Sequence, residues 1–237
     1  MYNVAIVGGG PAGIFTALEL AKLKPEWKIL LIEKGRKIEK RICPIREGQK
    51  KCLSCKTCGL LCGWGGAGAF SDGKLTLTPE VGGHLVDYMP YSDVENLIEY
   101  CDNIYLDHGA TQTVFGRNRA EFADIEHAAT LAELKLVHSP VRHLGTEKSL
   151  SVLKSMQDYL MDRIDIINNE NVDELIIKDS VIKGFTTKEG KEYLADYVVV
   201  APGREGADWL SNQFIKNKIE MVNNAVDVGV RVEFPAP

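Results

Sequence analysis

A glycine-rich turn close to the N-terminus has the residue types and spacing that phosphate binding requires. It reads Gly8-Gly9-Gly10-Pro11-Ala12-Gly13, directly after a short apolar run. In a G-x-G-x-x-G turn between a strand and a helix, the first glycine permits a tight turn, the second lets a pyrophosphate approach the backbone, and the third lets helix and strand pack closely. The helix N-terminus adds free N–H groups and the positive end of the helix dipole. The pattern predicts a dinucleotide site that includes Gly8, Gly10, Pro11, Ala12 and Gly13.

An acidic residue at the expected position supports this prediction. Glu33 ends a second apolar run, and the motif calls for a carboxylate at the end of the second strand. Its oxygens can accept hydrogen bonds from the hydroxyls of an adenosine ribose, and its charge disfavours a 2′-phosphate there. Lys34 and Arg41 follow closely and complete the predicted cofactor-binding residues of this part of the chain.

Five of the six cysteines lie close together, between Cys43 and Cys62. A disulfide framework would spread cysteines along the chain to close long loops, so the clustering indicates metal binding or redox chemistry instead. The run from Cys52 to Cys62 has the C-x2-C-x2-C-x3-C spacing of bacterial ferredoxins, although glycine follows its last cysteine where proline is usual.

The cysteine spacing leaves three interpretations open. One is an iron–sulfur cluster on the ferredoxin-like run Cys52, Cys55, Cys58 and Cys62. Cys43, Cys52, Cys55 and Cys58 could equally form a four-thiolate zinc or iron–sulfur site. The thiols could also be free of metal or form a redox disulfide. Cys101 stands apart on an apolar helical face, where we expect an inert thiol.

Smaller glycine-rich and polar groups follow the cysteines. Gly65-Gly66-Ala67-Gly68 could present backbone N–H groups to an anion as a nest, or could be a plain glycine loop. Arg142 and His143 are the best pair for an anionic substrate or for proton transfer, since histidine titrates near neutrality, although a surface loop is the simpler expectation. Three polar residues could line a substrate cavity or only shape turns: Ser71, Asp72 and Lys74.

The pattern of apolar residues predicts the elements that would hold these groups. Residues 4–7 form a short strand, and residues 28–32 form a second one. Between them, apolar residues recur at the i, i+3, i+4, i+7 spacing of one buried helix face: Ile14, Ala17, Leu18 and Ala21. This is a βαβ unit, which implies a parallel sheet with a right-handed crossover.

The rest of the chain predicts helices first and strands later. Helical patterns cover residues 92–101, 118–132 and 152–160, whereas residues 135–138 indicate a strand and residues 142–146 a loop. From residue 164 the apolar period changes to two, which predicts a β-meander with strands at 164–167, 174–177, 181–186 and 193–195. A separate buried strand at 197–200 then runs into a glycine turn.

Composition excludes several classes of function. The chain has 237 residues, of which 45% are hydrophobic and 26% charged, with a net charge of −5, as in ordinary folded proteins. The excess of acid gives no electrostatic case for nucleic acid. No apolar run approaches the ~20 residues that span a bilayer, and the apolar start is too short for a signal peptide. We expect a cytoplasmic protein whose partner is a small-molecule substrate or a redox protein, with neither nucleic acid nor membrane.

The order of these elements resembles the two-dinucleotide-binding-domain flavoproteins, the glutathione-reductase-like superfamily. A long insertion follows Glu33, then the meander, then Val198-Val199-Val200-Ala201-Pro202-Gly203. In that superfamily a hydrophobic strand that ends in Ala-Thr-Gly or a variant closes the FAD domain, and Ala201-Pro202-Gly203 looks like such a variant. The resemblance implies that FAD is contacted by Ala201, Gly203 and Arg204, and by the backbone at Val172.

A narrower resemblance rests on motifs in the middle of the chain. These are Cys43-Pro44, the stretch Gly63-Trp64-Gly65-Gly66-Ala67-Gly68-Ala69-Phe70-Ser71-Asp72-Gly73-Lys74-Leu75, Arg142-His143-Leu144-Gly145-Thr146, and Ala201-Pro202-Gly203-Arg204. Together they are similar to largely uncharacterised FAD-dependent dehydrogenases of bacteria and archaea, often labelled NAD(P)/FAD-dependent oxidoreductases. The resemblance covers nearly the whole chain, and residues 65–75 are its most specific part. It implies a non-covalent FAD, with NAD(P)H as a candidate electron donor.

We therefore predict an α/β protein with a Rossmann-like FAD-binding domain, a parallel sheet plus β-meander, and a helical insertion. Residues 1–80 would form its first half with the Cys-rich loop, residues 81–160 the insertion on the substrate side, and residues 161–237 the meander and the return to the FAD domain. The resembled family is longer and completes its FAD site with a later strand–glycine–acid segment, so we expect a fragment whose C-terminal part is missing or supplied by a partner. The predicted function is an FAD-dependent oxidoreductase, and the alternative is a truncated, non-catalytic fragment that binds nucleotide or metal.

Overall fold

A computed structural model describes residues 1–46, 48, 51–223 and 228–230, apart from the side chains of Arg119 and Glu121. Its strands are β1 (Tyr2–Val7), β2 (Ile29–Glu33), β3 (Lys74–Thr76), β4 (Val141–His143), β5 (Asp165–Asn168), β6 (Val172–Lys178), β7 (Val181–Thr187) and β8 (Glu192–Val200). Its α-helices are α1 (Pro11–Leu23), α2 (Tyr91–Asp107), α3 (Ala123–Leu131), α4 (Gly145–Met161) and α5 (Ala207–Lys216).

The main element is a six-stranded sheet with the order β5-β2-β1-β8-β7-β6. Strands β5, β2, β1 and the second half of β8 are parallel, whereas β8, β7 and β6 form an antiparallel meander. The register pairs Ala5 with Leu30 on one side and with Val198 on the other. The α/β fold class predicted from the sequence is confirmed.

The first βαβ unit forms as its apolar pattern predicts. The four residues that define the helix stripe of α1 are all buried, and all five residues of β2 are buried. A strand buried on both faces needs continuous apolar residues, because helices and loops cover both sides of a parallel sheet. Helix α4 supplies further core residues on the same face as α1: Val152, Leu153, Met156 and Leu160. This half of the core lies directly behind the glycine turn.

The predicted four-strand meander is wrong in two respects. Residues 165–168 pair in parallel with β2 and form the outer strand of the parallel half of the sheet. The two strands predicted at 193–195 and 197–200 are one continuous strand, β8, whose first part pairs with β7 and whose second part pairs with β1. Alternation along a single strand does not reveal its partner, so the sequence pattern could not distinguish these arrangements.

Two further local predictions are also wrong. Residues 135–138 form no strand, and the bridge to the outer edge of β4 is made instead by Phe115, which pairs with Val141. The predicted loop at 142–146 is instead the end of β4 and the start of α4. Strand β4 pairs with β3 in a separate two-stranded antiparallel sheet. None of the helices in the described part of the chain is long and apolar enough to cross a membrane.

Truncation of the buried face of α4 is expected to cost much of the stability. Leu160 is fully buried, so Leu160→Ala should lower the free energy of unfolding by about 2–5 kcal/mol through lost apolar contact and a residual cavity. Leu131→Ala is the matched control, because Leu131 is 75% exposed and its truncation should change stability by less than about 0.5 kcal/mol. Urea unfolding of both variants measures the difference, and equal effects would contradict the assigned core.

Candidate dinucleotide site

The glycine turn brings three chain segments into backbone contact. Gly8 has a φ of 109°, and a Cβ on it would lie 2.1 Å from the carbonyl oxygen of Ala201 at the end of β8. A Cβ on Gly13 would lie 1.9 Å from the carbonyl oxygen of Gly8. No side chain fits at either position, so these two glycines are needed to join β1, α1 and β8. The sequence motif predicts a tight turn at its first glycine, in line with the positive φ of Gly8, and close helix–strand packing at its third, in line with the contact at Gly13.

The second glycine of the motif faces open space. A Cβ placed on Gly10 would have no neighbour within 4 Å, and the next two residues, Pro11 and Ala12, are exposed. Gly10 is the N-cap of α1, and it provides no side-chain hydrogen bond to cap the helix. The first turn of a helix leaves N–H groups without intrahelical partners, and these carry the positive end of the helix dipole. The start of α1 is therefore an open cradle suited to a phosphate.

A second glycine-rich segment borders this cradle. Residues 66–70 form a short 3₁₀ helix, and a Cβ on Gly66 would lie 3.1 Å from the Cα of Gly10. The N–H of Gly65 donates to the carbonyl of Gly9 at 2.8 Å, and that of Gly66 donates to Gly63 at 2.8 Å. These two N–H groups are consequently used inside the protein, whereas the next two residues, Ala67 and Gly68, are exposed beside the cradle. The predicted nest adjoins the glycine turn in space.

Glu33 is the buried centre of the site. It is 7% exposed, and its carboxylate accepts hydrogen bonds from three backbone N–H groups: Gly9 at 2.7 Å, Gly35 at 2.8 Å and Gly63 at 2.8 Å. Oε1 accepts two of these bonds and Oε2 one. A carboxylate offers about four acceptor positions, so Oε2 keeps capacity for another donor. Glu33 thus connects the ends of β1 and β2 with the glycine-rich segment.

Arg41 holds that segment from the other side. Its guanidinium is buried and donates to backbone carbonyls of the loop, to Trp64 and Gly66 at 2.7 Å each, to Leu60 at 2.8 Å and to Gly59 at 3.1 Å. Burial lowers the pKa of Arg41, and the nearby Glu33 carboxylate partly offsets this. Arg41 was predicted to contact the cofactor, but in this structure its donors are engaged by the loop.

The remaining predicted cofactor residues surround the same ends of the strands. Lys34 forms an ion pair with Glu205, which follows the turn after β8. In that turn, Gly203 has a φ of 66° and Arg204 is exposed. The side chain of Val172, at the start of β6, is buried in the apolar cluster on the other face of the sheet. These residues lie at the carboxyl ends of the parallel strands, where ligands bind in open α/β sheets.

The five clustered cysteines differ in exposure. Cys62 is buried, Cys43 and Cys58 are half-buried, and Cys52 and Cys55 are exposed, all as free thiols. Burial raises the pKa of the Cys62 thiol, which Lys34 partly counteracts. Among the residues that the structure describes, no group of three or more His, Cys, Asp or Glu side chains could hold a metal ion. A metal centre on these cysteines therefore stays a prediction.

Arg142 is buried in an ion pair rather than exposed in a loop. Its Nε and Nη2 donate to the two carboxylate oxygens of Asp102 on α2, both at 2.6 Å, and Arg142 is 3% exposed. This bidentate bond raises the pKa of Arg142. The expectation of a surface loop is wrong for this residue, and its charge is already matched by Asp102. The sequence carried one signal for the partner, since Asp102 lies on the apolar face of α2 at the i+8 position from the buried Val94.

His143 lies on the exposed side of β4. Its Nε2 is 2.8 Å from Oδ1 of Asp72, and Oδ2 of Asp72 is 2.9 Å from Nζ of Lys74. Both contacts lower the pKa of the Asp72 carboxyl, the His143 contact more strongly. Asp72 follows the 3₁₀ helix that borders the cradle, so three of the polar candidates from the sequence are brought together there.

Sequence reasoning missed the backbone donors of Gly9, Gly35 and Gly63, since backbone N–H groups carry no residue-type signal.

Comparison with known proteins shows the fold but assigns no family. No protein-family model matches the chain. An uncharacterised protein of Clostridium beijerinckii is 26% identical over 231 residues, which make up 97% of this chain and 36% of that protein. The chain thus spans about a third of the length of this relative.

Solved structures with the same fold include enzymes of several kinds. A 3-ketosteroid-Δ4-(5α)-dehydrogenase of Rhodococcus jostii has a TM-score of 0.51 and 17% identity, and the match covers 84% of this chain and 45% of that chain. THI4 of Thermovibrio ammonificans has a TM-score of 0.52 and 14% identity, with 92% of this chain and 64% of that chain covered. Glycine oxidase of Geobacillus kaustophilus has a TM-score of 0.50 and 17% identity, with 92% of this chain and 58% of that chain covered. At these identities the likeness concerns the fold. The chain covers less than two thirds of each of these proteins.

Loss of the Arg41 guanidinium is expected to release the glycine-rich segment. Arg41→Met removes the donors for several buried carbonyls, so the free energy of unfolding should fall by about 3 kcal/mol or more. Amide hydrogen exchange of residues 59–66 should accelerate together with this loss. The guanidinium groups of Arg41 and Arg46 both lie over the Phe70 ring, but exposed Arg46 bonds only the carbonyl of Phe70. Arg46→Met is therefore the matched control and should change stability by less than about 0.5 kcal/mol. An unchanged rate of amide hydrogen exchange in Arg41→Met would show that Arg41 does not hold this segment in place.

The Arg142–Asp102 pair should behave as a buried structural ion pair. Arg142→Leu leaves the Asp102 carboxylate buried and uncompensated, which is expected to cost about 3–5 kcal/mol in denaturant unfolding. The double variant Arg142→Leu with Asp102→Leu removes both charges and should recover most of that loss. A double variant as unstable as the single one would show that packing of the Arg142 stem, rather than charge, dominates here.

Proposed function

We propose that this chain is the FAD-binding part of a flavin-dependent oxidoreductase. The observation that carries the proposal is the open cradle at Gly10, enclosed by the start of α1 and by residues 66–68, with the Glu33 carboxylate behind it. The motif resemblance to FAD-dependent dehydrogenases supports the choice of FAD. The dehydrogenase and the oxidase among the proteins of like fold support redox chemistry.

The residues present fit a dinucleotide with a pyrophosphate. The N–H groups at the start of α1 would hold the phosphates, because they combine free donors with the positive end of the helix dipole. Glu33 would bind the adenosine ribose through the acceptor capacity left on Oε2. Gly203, Arg204 and the backbone at Val172 would complete the adenosine and phosphate contacts, as the resemblance implies. Bound FAD would supply hydride and electron chemistry, while the protein contributes binding and orientation.

Further parts of the proposal concern the electron donor and the cysteines. NAD(P)H is the proposed electron donor. The proposed partner of the protein is a small-molecule substrate or a redox protein. An iron–sulfur or zinc centre on Cys43, Cys52, Cys55, Cys58 and Cys62 is proposed as a separate feature whose metal the spacing leaves open. An iron–sulfur centre would exchange electrons with the flavin, whereas zinc would be structural.

A second candidate function is a nucleotide-binding unit that turns nothing over by itself. The short length of the matched region favours this candidate. The region matched by this chain is only 36% of the Clostridium beijerinckii relative and 45–64% of the three solved proteins. Residues that would complete a flavin site would then lie outside the matched region. The two candidates share FAD binding and differ in whether the chain alone reduces the flavin.

The motif glycines give a test that separates ligand binding from folding. Gly10→Ala places a methyl group in the open cradle, where nothing else lies within 4 Å, so stability should fall by no more than the ~1 kcal/mol of a poorer N-cap while FAD binds at least about ten-fold more weakly. Gly13→Ala is the contrasting variant, because its Cβ would lie 1.9 Å from the Gly8 carbonyl and should destabilise the fold itself. Fluorescence titration with FAD and urea unfolding measure the two effects. Equal FAD affinity in wild type and Gly10→Ala would refute the cradle as the cofactor site.

Anaerobic purification with an absorption spectrum and metal analysis of one sample tests the function. We expect stoichiometric flavin bands that bleach on addition of NAD(P)H. Flavin that does not bleach favours the non-catalytic unit, and failure to bind added FAD overturns both candidates. Iron with labile sulfide would indicate an iron–sulfur cluster on the cysteines, and zinc would indicate a structural zinc site. The absence of both metals would indicate free thiols or a redox disulfide.

A further inference from the structure

A cavity of about 380 Å³ lies between the end of β3, the start of α2, helix α3 and residues 135–140. The Leu77 N–H donates to the Pro140 carbonyl at 2.8 Å, and both residues line the cavity. This is the end of β3 opposite to Gly73, which comes shortly after the 3₁₀ helix beside the dinucleotide cradle. Among the described residues the cavity shares no lining residue with the cradle, and its volume is in the range of small-molecule sites.

Two carboxylates lie on the first wall of the cavity, which is formed by the end of β3 and the start of α2. Glu80 and Glu95 both line the cavity, and the Tyr91 hydroxyl donates to Oε1 of Glu80 at 3.1 Å. Partial burial raises the pKa of Tyr91, and the hydrogen bond to Glu80 and the charges of Glu80 and Glu95 raise it further. Both carboxylates therefore act on the same hydroxyl group, which places them close together at one side of the cavity.

The second wall is formed by α3 and by the segment that precedes β4. Phe122 and Glu126 line it and are four residues apart, a spacing that places two residues on one side of a helix. The His138 ring, which also lines the cavity, packs edge-on against Phe122 with the ring centroids 5.7 Å apart. Nε2 of His138 is buried and has no hydrogen-bond partner in the described part of the chain. Buried polar atoms are nearly always paired, so this nitrogen is a candidate contact for a ligand.

Negative charge predominates around the cavity. Among the described residues that line it, three are glutamates and one, Lys135, is a lysine. The three glutamates are exposed, so a ligand can reach their carboxylates. A cleft lined mainly by one sign of charge raises the local concentration of the opposite ion. Leu77, Val137 and Pro140 add apolar surface to the same lining, which therefore favours a cation with an apolar part.

A single metal ion does not fit this arrangement. In the chain as described, no group of three or more His, Cys, Asp or Glu side chains could hold one. The carboxylates on the two walls thus do not converge on one point. A longer cation that carries a positive charge at each end can reach both walls, and its apolar middle can contact the apolar lining.

We propose that this cavity binds a small aliphatic diamine. One ammonium group binds Glu80 and Glu95, because its three N–H donors can bond both carboxylates. The other binds the Glu126 carboxylate and Nε2 of His138, which accepts a hydrogen bond when Nδ1 carries the ring proton. The methylene chain between the two ammonium groups packs against the apolar lining. The inference concerns this cavity alone and does not depend on FAD binding.

Isothermal titration calorimetry with 1,4-diaminobutane tests the site directly. The full chain, titrated at low salt and at about pH 8, where both amino groups are charged, should bind it saturably and in a one-to-one ratio. n-Butylamine has the same carbon chain with a single amino group and should bind at least about ten-fold more weakly, because one wall stays unpaired. Absence of saturable binding at millimolar concentration, or equal affinity for the two amines, would overturn the proposal.

Charge-neutral variants of the two walls test the contacts. Glu95→Gln and Glu126→Gln should each weaken diaminobutane binding at least about five-fold and leave the circular dichroism spectrum unchanged, because both side chains are exposed. Glu99→Gln is the matched control, since Glu99 is exposed on the next turn of α2 and lies outside the cavity lining. Its affinity should stay within about two-fold of wild type. An equal loss in all three variants would show diffuse attraction instead of a site and would overturn the proposal.

A third variant tests the histidine of the second wall. His138→Phe keeps an aromatic ring against Phe122 and removes the ring nitrogens, so diaminobutane should bind at least about five-fold more weakly while urea unfolding stays near that of wild type. Wild-type affinity in this variant would overturn the contact with His138.

Calcium chloride is the competing probe, because carboxylate oxygens are also the ligands that calcium prefers. We expect no saturable calcium binding under the conditions in which diaminobutane binds. Calcium binding that Glu95→Gln and Glu126→Gln both abolish would overturn the diamine in favour of a metal site.

Discussion

The buried carboxylate of Glu33 is the interaction on which the rest of the site depends. A charge that is 7% exposed must be compensated, and here three backbone N–H groups from three segments provide the compensation. Each donor can reach Glu33 only if the glycine turn, the end of β2 and the segment at Gly63 come together. The carboxylate thus determines the relative positions of these segments, and Arg41 reinforces this from the carbonyl side of the same loop.

Charged residues in this protein serve mainly to position backbone. Arg41 binds loop carbonyls, and the Arg142–Asp102 pair joins the two-stranded sheet to α2. Both arginines are nearly inaccessible to solvent, and both were candidates for ligand contact when only their residue types were known. The accessible surface of the cradle consists instead of backbone and small residues. A pyrophosphate suits such a surface, because backbone N–H groups bind it without a side-chain cation.

Much of the first half of the fold was predictable from local pattern. The β1–α1–β2 unit and the buried stripe of α4 follow from apolar periodicity, which is strong when an element is buried on a known face. The predictions that were wrong concern pairing. Residues 165–168 alternate as a meander strand would, yet they pair with β2, and residues 135–138 are strand-like but stay unpaired, while Phe115 forms the bridge to Val141 of β4. Pairing depends on which edges remain available, and this is a property of the assembled sheet.

The sequence by itself determined the glycine turn, the acidic residue after β2 and the α/β class, because glycine spacing and apolar period are local properties of the chain. Only the tertiary structure decided that Glu33 bonds three backbone groups and that Arg41 and Arg142 are engaged internally. Each of these depends on contacts between segments that are distant in sequence. The energies of buried charges arise from those contacts, so residue type and spacing could not reveal them.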